Sequence, residues 1–553
     1  MRIKINKMKI ALAQLNYVIG DFELNTQRII EAIHQAEMQG ADLVVFAELS
    51  VCGYVPRDFL EFSEFIDLCD KAVQKIVAEC KNIACIVGLP TRNPEIKGKD
   101  LYNSAYFIEN GEIKSIVNKA LLPTYDVFDE YRYFEPAVSF SCIEFKGQKI
   151  ALTICEDLWN INDNPMYVIC PMDELIKEKP DLMINIAASP FAYNHDEERI
   201  AVLGDNARKY KLPLFYVNHV GAQTEIIFDG GSLVFDQAGS LLDEMPYFTE
   251  SIKMYEFADG EVQGLKPVVH NVQNDIEQIH DALILGIRDY FSKLGFKKAI
   301  LGLSGGIDSA VVCALAAEAL GAENVMAVLM PSEYSSDHSI QDALDLVKNL
   351  HCKHEIIPIK SAAAAFENMM KPVFRDLPFN VAEENIQARS RAVVVMAMSN
   401  KFGYVLLNTS NKSECAVGYG TLYGDMAGAI SVIGDVYKTQ VYKLAEYINR
   451  NGEIIPVNSI VKPPSAELRP GQKDSDSLPE YDILDAILFQ YIELKKSSSE
   501  IIAMGYAESL VKRVLRMVNI AEFKRFQSAP ILRVSPKAFG MGRRLPIVAK
   551  YLG

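Results

Sequence analysis

The chain has 553 residues, too many for one ordinary core at roughly 100–200 residues per domain, so two or more domains are expected. Hydrophobic residues make up 49% and charged residues 23%, with 24 Pro and 32 Gly, which excludes wholesale disorder. The 56 Lys and Arg against 72 Asp and Glu leave a net charge of −16, which excludes a protein that coats nucleic acid or an acidic membrane through its global field, while a local basic pocket stays open.

In residues 1–20, Lys and Arg precede a short apolar run that Gln14 and Asn16 interrupt before signal-peptide length. No stretch approaches the ~18 uninterrupted apolar residues of a membrane span. The ten cysteines form no C-x-x-C pair, so structural zinc and a secreted disulfide scaffold are poor readings. The expectation is a soluble, unprocessed protein of the reducing cytoplasm.

From Met8 to about Phe235, short runs rich in Val and Ile (KIALAQL, DLVVFAEL, IACIVGLP, KIALTICEDLW, DLMINIAAS, LPLFYVN) alternate with amphipathic stretches at 26–39 and 197–210. Asn110-Gly111 marks a hairpin. A mixed α and β domain over 8–253 follows. Residues 254–273 are polar, broken by Gly260, Gly264 and Pro267, and read as a linker to a second domain over 274–553. There, 275–294 is an amphipathic helix, KKAILGLSGG a buried strand entering a glycine turn, and 309–320 an Ala-rich helix. ENVMAVLMP, KHEIIPI and FGYVLLNTS are further strands with helices between them, which predicts a doubly wound parallel sheet with ligands at the strand ends. Residues 461–480, dense in Pro, Ser and charge, read as a mobile loop of the kind that forms lids.

In the first domain, Cys155 ends an apolar strand directly before Glu156 and Asp157. Its bland reading is a buried structural cysteine. Glu48 in DLVVFAELSVCGY and Lys119 in IKSIVNKALLPTYDVFDEYRYF are also strand-end polar groups, each a surface residue if taken alone. Together they are what thiol-based amide cleavage needs. Glu48 could take the thiol proton; Lys119 would favour the thiolate and stabilise an oxyanion; Glu130 is a second carboxylate to position the lysine or assist the base. FAELSVCGY, NKALLPTYDVFDEYRYF and LTICEDLW, in that order, resemble the nitrilase superfamily. The resemblance implies an αββα sandwich with Glu48 as general base, Lys119 as intermediate stabiliser and Cys155 as nucleophile. By analogy with glutaminase members, Tyr125 and Ser189 match glutamine-holding positions, and His195 stands where a lysine is common.

In the second domain, LGLSGGIDSA sets Gly302, Leu303, Ser304, Gly305, Gly306, Ile307, Asp308 and Ser309 between a strand and a helix start. Glycines there let backbone approach phosphates, and the helix N-terminus attracts anions. An ordinary tight turn is the alternative. The Walker ending GK[ST] is missing, so γ-phosphate transfer is not the expectation. S-G-G-x-D-S resembles the pyrophosphatase loop of N-type ATP pyrophosphatases. EENIQARSR, LLNTSNKSE, GDVYKTQVYKLA, PPSAEL and EFKRFQSAP resemble NAD synthetases, and with the nitrilase-like domain the whole pattern resembles the glutamine-dependent ones. That implies ATP contacts from Ser304–Ser309 with Thr409 and Lys438, a magnesium ion on Asp308 and Glu414, and a deamido-NAD site at Asn385, Glu414 and Lys524. Asn385 and Lys524 on solvated helix faces, and Thr409 as a helix cap, are the structural alternatives. Ser332 to Ser336 and Lys473 are weaker candidates for closing over nucleotide. The His351-Cys352-Lys353-His354 cluster lacks partners nearby in sequence and is not read as a metal site.

The implied chemistry is ATP-dependent amidation of deamido-NAD with ammonia released from glutamine. A homo-oligomer is also implied, with an octamer as the candidate size. An internal passage for ammonia would make the fusion sensible. Two rivals stay open: an amidotransferase adenylating another carboxylate, and a nitrilase gated by a nucleotide-binding module that does not turn ATP over.

Overall fold

The computed structural model describes residues 7–161, 165–271 and 273–551. Residues 1–6 of the charged amino terminus, Val272 of the expected linker and the last two residues of the second domain lie outside the described residues. Two compact units divide between Gln273 and Asn274.

In the first unit a seven-stranded mixed sheet runs, in spatial order, Glu261–Gln263, Ser251–Ala258, Lys7–Gln14, Leu43–Phe46, Ala84–Arg92, Leu101–Glu109 and Glu112–Asn118. Because side chains alternate across a strand, Met8, Ile10, Leu12, Leu43 and Val45 point to one face, and Ala11, Ala13, Val44 and Phe46 to the other. The first set packs on a six-stranded sheet, ordered Leu241–Glu244, Leu233–Phe235, Leu214–Val217, Leu182–Ile186, Gln148–Ile154 and Ile143–Phe145. The second set packs on helices Phe22–Met38 and Ser63–Glu79. Burial on both faces explains why these strands read as continuous apolar runs. Helix Phe22–Met38 begins where the Asp21 carboxylate accepts the Leu24 amide, and the Asn110-Gly111 turn joins two antiparallel strands as expected. The far side of the second sheet carries helix His195–Tyr210.

The structure corrects the linker. Residues 251–258 form a strand antiparallel to Lys7–Gln14, with Met254 opposite Ala11, and 261–263 extend it as a hairpin. A domain end at 253 would cut this strand. Only three of its eight residues, Tyr255, Phe257 and Ala258, are buried, which left no sustained period to read.

In the second unit five strands are all parallel, in the order Lys353–Ile356, Val325–Leu329, Ala299–Gly302, Val405–Asn408 and Ile430–Ser431. The chain starts at the central strand and winds outward in both directions, so the end of Ala299–Gly302 is the switch point where a crevice opens. Helix Ile307–Leu320 follows it directly. Among the described residues no helix is long and apolar enough to cross a membrane.

Candidate active sites

Glu48, Lys119 and Cys155 each lie just past the carboxyl end of a strand: Leu43–Phe46, Glu112–Asn118 and Gln148–Ile154. Neither Glu48 nor Lys119 is a surface residue; both are 0% exposed, with Glu130 at 4% and Cys155 at 6%. The Lys119 Nζ donates to Glu48 Oε1 at 2.7 Å and to Glu130 Oε1 at 2.8 Å. Asn103 Nδ2 donates to the same Glu48 Oε1 at 2.7 Å and to Glu130 Oε2 at 3.3 Å, while Tyr54 Oη donates to Glu130 Oε1 at 2.7 Å. The Ala188 amide donates to Glu48 Oε2 at 3.0 Å. Every charge in this dry cluster therefore has partners, as burial demands.

Burial works against the Lys119 charge, but Glu130 and Glu48 outweigh it and hold the ammonium pKa well above its usual value. Burial also pushes up the Cys155 thiol, and the nearby Glu48 charge adds to this. Lys119 pulls the other way and does not win. Lys119 thus favours the thiolate, as expected, but burial and Glu48 outweigh it, so the pKa stays raised and a base is needed to take the thiol proton. Cys155 has φ +44, a left-handed conformation rare for a side-chain-bearing residue, at the start of the turn Cys155–Leu158.

Tyr125 Oη donates to Glu156, 3.0 Å from each carboxylate oxygen, and Tyr167 Oη donates to Glu156 Oε1 at 3.0 Å. Ser189 is buried, its amide donating to Asn218 Oδ1 at 2.8 Å. The His195 ring stacks on Trp159 at 5.4 Å between centroids, with Nδ1 3.2 Å from Glu198 Oε2.

In the second unit the switch point opens into a cavity of about 610 Å³. Gly302, Leu303, Ser304, Gly306, Ile307, Asp308 and Ser309 line it, together with Thr409, Glu414 and Lys438. The glycine loop is held by its own hydroxyls: Ser304 Oγ and Ser309 Oγ are 3.1 Å apart, and the Gly306 amide donates to Ser304 Oγ at 3.1 Å. Gly305 has φ +83, and a Cβ there would lie 2.1 Å from the Ser339 carbonyl oxygen. Lys438 Nζ donates to Asp308 Oδ2, and Asn411 Nδ2 donates to Asp308 Oδ1 at 2.9 Å. Burial and then the Asp308 charge raise the pKa of Glu414 well above the carboxylate range, while burial opposes the Lys438 charge and Asp308 restores it.

Ser335, Ser336 and Lys473 also line the cavity. The Pro-rich segment 461–480 packs rather than hanging free. Ser336 and Ser339 each donate from Oγ to Glu467 Oε1 at 2.9 Å, and Leu478 is part of the helical core. Asn385 and Lys524 are not among the cavity's lining residues, and neither sits on a merely solvated face. Both grip one loop: Thr421 Oγ1 donates to Asn385 Oδ1 at 2.7 Å, and Lys524 Nζ donates to the Gly418 and Gly420 carbonyls at 2.7 Å each. Among the described residues no group of three or more His, Cys, Asp or Glu is placed to hold a metal.

Residues 9–266 match the carbon-nitrogen hydrolase family, and residues 279–528 the NAD synthase family. A glutamine-dependent NAD(+) synthetase of Synechocystis sp. is 46% identical over 98% of this chain and 99% of its own length. The chain belongs to the glutamine-dependent NAD(+) synthetases. A glutamine-dependent NAD(+) synthetase of Acinetobacter baylyi is 41% identical over 98% of this chain and 99% of its own. The solved structure of one from Acinetobacter baumannii, in complex with adenosine diphosphate, is 38% identical, covers 98% of both chains and superposes with a TM-score of 0.78. A second solved synthetase, from Cytophaga hutchinsonii, shares the fold at a TM-score of 0.82 and 21% identity over 98% of both chains.

Sequence reading of this synthetase left several site neighbours unassigned: Asn103, Tyr54, Asp157 and Asn411. Three of them stood in blocks already singled out: Asp157 two residues after Cys155, Tyr54 at the end of FAELSVCGY and Asn411 within LLNTSNKSE. Asn103 lies outside every such block and reaches Glu48 and Glu130 through the fold.

Proposed function

We propose that the chain amidates deamido-NAD to NAD at the expense of ATP, with ammonia that its first unit releases from glutamine. The supporting observation is that one polypeptide carries both a dry Cys155–Lys119–Glu48–Glu130 cluster and a glycine loop opening on a cavity lined by Asp308 and Lys438.

In the first unit the Cys155 sulfur attacks the glutamine carboxamide carbon while its proton passes to Glu48. Lys119 donates to the oxyanion. Glu48 returns the proton to the departing nitrogen, so ammonia leaves and a glutamyl thioester remains. Water, with Glu48 again as base, then releases glutamate and restores the thiol. Glu130 holds Lys119 in place. Tyr125, Ser189 and His195 hold the glutamine, with Glu156 fixing the Tyr125 hydroxyl.

In the second unit the Ser304–Ser309 loop takes the outer phosphates of ATP, with Lys438 and Thr409 as further contacts. The carboxylate of deamido-NAD attacks the α-phosphorus and pyrophosphate leaves. Ammonia then attacks the acyl carbon of the adenylate and AMP leaves. Asn385, Glu414 and Lys524 belong to the deamido-NAD side, Asn385 and Lys524 acting through the 418–421 loop. Asp308 and Glu414 suit Mg2+: after burial, the Asp308 charge adds to the cost of ionising Glu414, their donors are all oxygen, and two carboxylates leave room for phosphate oxygens and water. When bound, such an ion neutralises charge on the pyrophosphate leaving group. By family resemblance the enzyme works in the cytoplasm as a homo-oligomer, which sedimentation tests.

The decisive experiment supplies amide-nitrogen-15 glutamine, ATP and deamido-NAD. Label in the nicotinamide group, with one pyrophosphate per NAD, is the expected result. Unlabelled product, or ATP left intact, overturns the reading.

A further inference from the structure

Two residues after Cys155, Asp157 is 3% exposed and accepts three backbone hydrogen bonds. Its Oδ1 takes the amides of Ala120 at 3.0 Å and Leu121 at 2.9 Å, and its Oδ2 takes the amide of Ile154 at 3.0 Å. The first two directly follow Lys119; the third directly precedes Cys155. The chain segments bearing the lysine and the cysteine come from strands in different sheets, Glu112–Asn118 and Gln148–Ile154. Neither sheet's hydrogen bonding ties one segment to the other. The same carboxylate closes the turn in which Cys155 holds φ +44, a conformation that persists only where its surroundings enforce it.

From these contacts we infer that Asp157 is a positioning residue for amide cleavage: its one carboxylate sets the distance and angle between the Lys119 ammonium and the Cys155 sulfur. This rests on the proposed roles of Cys155 and Lys119. A displacement of about 1 Å at reacting groups can cost on the order of a hundredfold in rate, so such a clamp acts on turnover more than on binding. Burial raises the Asp157 pKa to about 6, so its ionised form at neutral pH works against the fold rather than for it.

Asp157→Asn tests this in the full-length enzyme. One amide oxygen can keep the bonds from Ala120 and Leu121, but the amide NH2 then faces the Ile154 N–H. Glutamine-dependent kcat is expected to fall at least tenfold and KM for glutamine to change less than threefold. Ammonium-dependent NAD synthesis should stay at the wild-type rate, and Tm should stay within about 4 °C. Asp157→Glu, which keeps the charge but moves it by one methylene, should show the same split. If Asp157→Asn does not fold, Asp157→Glu alone decides. Wild-type glutamine kcat in the variant that folds overturns the inference, as does equal loss with both nitrogen donors. Wild-type enzyme that transfers no label from glutamine would instead overturn the proposed function itself, so the two failures are distinct.

Discussion

Lys119 is a buried ammonium between two buried carboxylates, and removing one member of such a group leaves the others uncompensated. Lys119→Met is therefore expected to destabilise the protein by about 3–5 kcal/mol, in addition to ending glutamine use. Calorimetry reads this as a lower transition temperature for the unit that carries it, and an unchanged transition contradicts the pairing. Cys155 gives a titration test. Since burial and the Glu48 charge raise its pKa, the thiolate fraction is small at neutral pH and grows only above the ordinary thiol range. Alkylation of Cys155 by iodoacetamide in the free enzyme is expected to keep climbing beyond pH 9. A plateau below pH 8 would show the thiolate to be the resting form.

Strand ends and the turns after them carry both chemistries. In the first unit three strands deliver three side chains to one place; in the second the proposed anion-binding surface is a single strand-to-helix turn. That turn is tightly specified. Gly305→Ala would put a methyl group 2.1 Å from the Ser339 carbonyl and ask alanine for φ +83. The strain, of order 1–3 kcal/mol, should displace the loop. Nucleotide binding measured by calorimetry should be lost, along with NAD formation from either nitrogen donor, while glutamine hydrolysis continues. Retained nucleotide binding would show that the loop does not form the phosphate surface. The 418–421 loop is a second such element, braced by Asn385 and Lys524 rather than by regular structure.

For the whole molecule, the division of labour predicts two opposite phenotypes. Cys155→Ala should abolish NAD formation from glutamine and leave formation from ammonium salts within about twofold, since the hydroxyl-lined loop and Lys438 belong to the other unit. Asp308→Ala should abolish it with both donors. Equal loss in Cys155→Ala with either donor would contradict two separable reactions. Much of this was legible in the chain itself. The order of the Glu48, Lys119 and Cys155 blocks, the S-G-G-x-D-S turn and the alternation of apolar strands with amphipathic helices are local patterns. They follow from the periods of strands and helices and from what glycine permits. Other features could not be read that way. Strand 251–258 is mostly half-exposed, and its place beside residues 7–14 depends on a partner at the other end of the unit, with Gln14 opposite Ser251. Asn103 looks ordinary in sequence, and only packing brings it to Glu48 and Glu130, and Tyr54 to Glu130. Lys524 offered a charge but not the carbonyls that receive it. By itself, then, the sequence determined the candidate reacting groups, the strands that end on them and the two kinds of chemistry. Tertiary structure alone decided which neutral partners let those charges stay buried, whether Cys155 rests as thiol or thiolate, and where the first unit ends, because each depends on desolvation and on contacts between residues far apart in the chain.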